Sequence, residues 1–326
     1  MKRILSIIIA LVLLVTVSGC GFKEPKHNKL NIVCTIFPQY DFVRNIAKDK
    51  AEVKMLVPLG TESHDFQFES LTVADLKMVA MADAVIYVGG ESDFDWIQKL
   101  MKTIKNDKTK WLAMTDTVDA LEELISESMA DEHSHSHTDA HEHEGEHYDG
   151  GAYDEHVWTS PKSSKKIVAA IVDLLISLDK ENEDFYKANS EEYFKQLDLL
   201  DKSLTEAVST ASNKKLIFGD RFPFRYLCAD YGLDFDAAFL GCSSNVDPSI
   251  SQMTSLSKSA IESGVKVIFY MENSNPVYAK QIAKTVGGVA LMLNSCHTFS
   301  KEQLDNKVTY ISVMSDNISK ISEALK

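Results

Sequence analysis

Seven short apolar runs, each followed by a helical pattern, constrain this chain more than any other feature. Residues 30–37 (LNIVCTIF), 52–57 (EVKMLV) and 84–90 (AVIYVGG) form one block. Residues 215–219 (KLIFG), 233–239 (LDFDAAF), 265–271 (VKVIFYM) and 289–294 (VALMLN) form another. Runs of this length and composition read as buried strands, and their alternation with helices predicts βαβ units around mostly parallel sheets. Between the blocks, residues 183–211 contain no Gly or Pro, and Tyr193, Leu197, Leu200, Leu204 and Val208 recur at steps of three and four. About 26–29 helical residues would span about 40 Å. Two helices with an intervening turn fit this pattern, and so does one long helix linking two lobes. The expected fold class is α/β, as two lobes over residues 30–160 and 212–326, with residues 161–211 as a helical segment between them.

The chain's 326 residues are 44% hydrophobic and 25% charged, which is enough to build sizeable cores. Its beginning is set apart. Lys2 and Arg3 precede the apolar run ILSIIIALVLLVTV and then V-S-G-C. The run is too short and wrongly flanked for a spanning helix and reads as a signal peptide over residues 1–19. The V-S-G-C ending resembles the bacterial lipobox, which implies a mature chain starting at a lipidated Cys20. Residues 20–29 then act as a tether to the membrane. That chain loses two basic residues and no acid, leaving 32 basic against 48 acidic residues and a formal charge of −16. So acidic a surface argues against nucleic-acid partners and is compatible with gathering cations.

Six of the ten histidines lie between His133 and His147, in the loop of residues 131–155, which also carries nine acids and no Lys or Arg. Ordering such a stretch costs entropy that no core offsets, so it is expected to stay disordered without metal. His133, His135, His137, His141, His143 and His147 read as a weak accessory collector of metal ions. The chemically sharper histidines are His64 in PLGTESHDF, His156 in DEHVWTSP and His297 in LNSCHTF. Each sits at a strand end or before a helix, where α/β crevices form. Three imidazoles plus a carboxylate suit tetrahedral Zn²⁺ better than Mn²⁺, which prefers more oxygen ligands.

These motifs, with the lipobox and the helix-spanned pair of lobes, resemble the zinc- and manganese-binding lipoproteins of ABC importers, the cluster A-I substrate-binding proteins. The likeness runs from about residue 30 to 326. It implies two lobes joined by a rigid helix, a metal site at their interface, a membrane permease as partner, and an extracytoplasmic, lipid-anchored carrier that is not an enzyme. His64 and His156 match the first two ligands of that family. The third family ligand falls at Gly219 here, and the fourth falls at Cys296 or His297. A rebuilt site is therefore expected, with His297 as the third imidazole and Asp220, Glu272 or water completing the shell. Glu62 could also reach the metal, although a solvent-exposed acid is the plainer expectation for it.

A Cys296 thiolate would favour Zn²⁺, but an exposed thiol outside the cytosol risks oxidation. A disulfide between Cys242 and Cys296 is expected to fix the turn that presents His297. A monomer is expected. The competing classes are a manganese carrier of the same kind, a secreted zinc hydrolase and an adhesin. A closed metal shell would favour transport, and an open water position facing a cleft would favour catalysis.

Overall fold

The computed structural model describes residues 29–129, 153–241 and 247–326. The expected signal peptide, Cys20, the tether up to residue 28, the six loop histidines and Cys242 lie outside the described residues. The first lobe runs β1 (Leu30–Cys34), α1 (Phe37–Ala47), β2 (Ala51–Met55), α2 (Val73–Ala80), β3 (Ala84–Tyr87), α3 (Glu91–Ile104) and β4 (Lys110–Ala113). Two long helices follow, α4 (Pro161–Leu178) and α5 (Glu183–Thr210). The second lobe comprises β5 (Lys215–Phe222), α6 (Arg225–Tyr231), β6 (Asp234–Leu240), α7 (Ile250–Ser263), β7 (Val267–Met271), α8 (Val277–Thr285) and β8 (Val289–Leu293). A short α9 (Lys301–Asp305) and α10 (Tyr310–Ala324) complete it.

Each lobe holds a four-stranded sheet, ordered β2-β1-β3-β4 in the first and β6-β5-β7-β8 in the second. Every pairing in them is parallel. The two orders are equivalent, so both sheets direct the carboxyl ends of their strands, and the loops that follow, in the manner of open α/β crevices. Strand β1 is shorter than the apolar run 30–37 suggests. Pro38 supplies a preset φ to the first turn of α1, and the Gln39 side chain accepts the Ile36 amide at 2.8 Å, so helix replaces strand at Phe37. Strand β4 was not legible among the apolar runs, because its four residues include Lys110 and only the last of them is buried.

Helix α5 is a single 28-residue helix. Its buried stripe includes Tyr193, Leu197, Leu200, Leu204 and Val208, and it packs against both α1 of the first lobe and α10 of the second. One continuous apolar core includes Ile32 and Val85 of the first sheet, Leu197 of α5, and Phe218 and Leu293 of the second. A smaller core lies on the other face of the second sheet, under α7 and α8. Among the described residues, no helix is long and apolar enough to cross a membrane.

Candidate metal centre

His64 sits in a single 3₁₀ turn, Ser63–Asp65, beyond β2. His156 precedes a second 3₁₀ turn, Val157–Thr159, whose Ser160 caps the start of α4. His297 follows β8 in a turn held by polar side chains. The Asn294 amide donates to Asn317 Oδ1 at 3.0 Å, and the Cys296 amide donates to Asn294 Oδ1 at 2.7 Å. The indole of Trp158 donates to the Ser295 carbonyl at 2.7 Å, which ties the His156 motif to the His297 turn. The Gly60 amide donates to the Phe299 carbonyl at 2.9 Å, tying in the His64 loop as well.

These three segments bring one ligand nitrogen each from His64, His156 and His297 within 4.8 Å of one another. Among the described residues, no other group of three His, Cys, Asp or Glu side chains converges in this way. Nε2 of His64 and Nε2 of His156 are buried without a hydrogen-bond partner. Buried polar atoms are rarely left unpaired, so two convergent bare imidazole nitrogens point to an electrophile as their partner. The opposite nitrogens face acceptors: His156 Nδ1 lies 3.2 Å from Asp154 Oδ1, and His64 Nδ1 lies 3.7 Å from Glu155 Oε1. A carboxylate hydrogen-bonded as Asp154 is orients its imidazole and raises its basicity toward a metal, whereas Glu155 Oε1 is buried beyond hydrogen-bonding distance of His64. His297 Nε2 meets the Ser63 hydroxyl, and its Nδ1 lies 3.5 Å from Glu62 Oε1.

Burial pushes His64 down to about 3, with His156 and Arg221 adding to the effect. Burial, then His64, His156 and Arg221, hold His297 well below its ordinary value. Both are therefore neutral near pH 7, the form that binds a metal. Burial also opposes the charged form of His156, but Asp154, Glu155 and Glu123 outweigh it and raise that group.

Two glycines make room for this packing. A Cβ at Gly90 would fall 2.2 Å from Glu155 Oε2, the oxygen that accepts the Ser92 amide at the start of α3. A Cβ at Gly241 would fall 2.8 Å from Cε1 of His156. The side chain at 219 faces the other side of the sheet, since a Cβ there would meet Ala279 Cα at 2.9 Å. A ligand could not act from that position, which explains why Gly is tolerated there.

The two carboxylates expected to complete the shell are not in the cluster. Asp220 accepts the Met271 amide at 2.9 Å and the Arg221 amide at 2.7 Å, so both its oxygens stabilise strand backbone. Glu272 accepts the Ser295 amide at 2.8 Å and also the Ser295 hydroxyl, bracing the His297 turn. Both stand at the expected strand ends, but each of their oxygens already accepts a hydrogen bond from a strand amide or from Ser295. Cys296 is a free thiol, wholly buried. Burial drives its pKa far up, with Glu272 and Asp41 contributing, so it behaves as a core residue and not as a thiolate ligand. Glu62 is less exposed than expected: its side chain is 18% exposed and faces His297 and Arg221. Asp154, Glu155, Ser63 and Arg221 carried no assigned role in the sequence. Glu155 and Ser63 adjoin the expected histidines and Asp154 stands two residues before His156, which was the one available signal.

The sequence from residue 32 to 324 matches the family described as zinc-uptake complex component A, periplasmic, or ZnuA. The chain belongs to the ZnuA family. The high-affinity zinc uptake system protein ZnuA of Bacillus subtilis is 31% identical over 305 residues, covering 94% of this chain and 90% of that relative. The zinc-binding lipoprotein AdcA of Streptococcus pneumoniae is 29% identical over 323 residues, covering 99% of this chain. The chain spans 61% of the length of that relative. Among solved structures, the Zn(II)-bound ZnuA-like domain of S. pneumoniae AdcA aligns with a TM-score of 0.71 at 27% identity, covering 91% of this chain and 99% of that one. The metal-dependent lipoprotein YcdH from B. subtilis aligns with a TM-score of 0.73 at 28% identity and the same coverage. The paired α/β lobes described above are thus the fold of ZnuA-like proteins, whose family description places them in a transport complex.

Proposed function

We propose that this chain is an extracytoplasmic, lipid-anchored carrier that captures Zn²⁺ and delivers it to the permease of an ABC importer. The observation that carries the reading is the convergence of His64, His156 and His297, two of them with bare buried nitrogens. Zinc uptake by relatives in the same family supports the choice of cargo, and a nitrogen-rich shell favours Zn²⁺ over Mn²⁺. In this reading Glu62, whose Oε1 lies 3.5 Å from His297 Nδ1, would complete the shell. The lipid attaches at Cys20, after the apolar leader. The role is carriage and not catalysis: Asp154, hydrogen-bonded to His156 Nδ1, has an orienting task.

Competition titration with a zinc chelator tests this. The wild-type chain is expected to bind one Zn²⁺ tightly. His64→Ala, His156→Ala and His297→Ala should each lose more than about a hundredfold in affinity, beyond the 10–100-fold typical of ligand-orienting residues. Unchanged tight binding in His297→Ala would remove that residue from the site.

A further inference from the structure

Among the described residues, Arg221 is the cation whose charge bears on His64 and His297, and carrying a dication gives it no evident task. It comes from β5 of the second lobe, just past an irregularity in that strand's pairing with β6 between Phe218 and Arg221. Asp220 holds this bend by accepting both the Arg221 and Met271 amides, and bends of this kind re-aim the side chains that follow. The Arg221 side chain is 11% exposed, and its Nη2 lies 3.9 Å from Glu62 Oε2. The other oxygen of Glu62 lies 3.5 Å from His297 Nδ1, and Thr298 Oγ1 approaches Glu62 Oε2 at 3.5 Å. Arg221 also lines a cleft of about 230 Å³ at the carboxyl ends of the second sheet.

Glu62 therefore has two possible cationic partners, the guanidinium and a metal in the cluster. A carboxylate largely removed from water beside neutral imidazoles needs a counter-charge, which Arg221 provides in the observed geometry. A dication among the imidazoles would draw Glu62 away and leave Arg221 as a nearby like charge. A group that interacts favourably with one state and unfavourably with the other shifts the equilibrium between them by that difference. We propose that Arg221 sets the affinity of this site downward, and so eases release, by holding Glu62 as a competitor to the metal. The inference rests on the zinc-carrier reading.

The experiment is chelator competition and stopped-flow Zn²⁺ release on the full chain. Arg221→Gln is expected to bind on the order of tenfold tighter and to release more slowly, while Arg221→Lys stays near wild type. Glu62→Gln should bind more weakly, and adding Arg221→Gln to it should give a much smaller gain. A residue with only a structural role would weaken binding when replaced, so the sign of the change separates the two. Unchanged or weaker binding in a folded Arg221→Gln chain overturns the proposal, as does an equal gain in the Glu62→Gln background. Arg221→Met is the second neutral variant, and failure of both to fold would assign Arg221 to the scaffold instead. Absence of tight zinc binding in the wild type would overturn the carrier reading itself, and this inference with it.

Discussion

A metal takes neutral imidazole, and the three histidines reach that form by different routes. His64 and His297 are kept neutral mainly by burial, so they give metal binding no pH dependence near neutrality. They do affect the fold. The unfolded chain takes up a proton at His64 near 6.5 and the folded chain only near 3, so stability falls as pH drops through that window. His156 is the reverse case, since its carboxylate neighbours raise it despite its burial. Zinc must displace that proton, so affinity should fall about tenfold per pH unit below the raised value. Calorimetry in buffers of different ionisation enthalpy should detect proton release that grows as pH falls, and Asp154→Asn should reduce it. Equal release in the variant would locate the proton elsewhere.

At the scale of single elements, the turn after β8 decides whether His297 can take part. Cys296 adopts φ 61° in that turn, a left-handed conformation that costs a side-chain-bearing residue about 1–2 kcal/mol. Asn294, Ser295, Asn317, Glu272 and the Trp158 indole hold it in place. Trp158→Phe should therefore destabilise the protein by about 1–3 kcal/mol in chemical denaturation, because it leaves a buried carbonyl unpaired. It should also weaken zinc binding, since the turn presenting His297 loosens. Helix α5 is the other deciding element. Leu199 lies within it and is 64% exposed, so Leu199→Pro tests backbone continuity and not packing. A loss of about 3 kcal/mol or more is expected in thermal or chemical unfolding. A loss under 1 kcal/mol would mean the helix does not act as one strut.

Across the whole molecule, a continuous core through both lobes and a helix packed against both argue against wide domain closure. Metal exchange is then expected through the loops at the sheet ends, where Glu62, His64 and His297 meet. Of the acidic histidine stretch, residues 131–152 lie outside the described residues, and its end, Asp154 and Glu155, is buried beside the imidazoles. Deleting residues 133–147 should remove weak zinc equivalents and leave one tight equivalent in a titration. Loss of the tight equivalent would move the centre into that stretch.

Much of this was legible in the chain, and the failures share one cause. Apolar periodicity located seven of the eight strands among the described residues, and the stripe of α5, because burial selects residue type along the whole length of an element. Strand β4 escaped because four residues with one buried position carry too little pattern. The histidines stood out because imidazoles at strand ends are few and their flanking motifs are distinctive. Asp220 and Glu272 occupied the right strand ends yet serve backbone amides, and Cys296 turned inward to the core. Glu62 and Arg221 carried no signal of their shared position. Residue type and spacing determined which elements form and which groups could bind a metal. Tertiary structure alone decided which of those groups face one another, because a side chain's direction depends on bends, caps and competing donors contributed by distant parts of the chain.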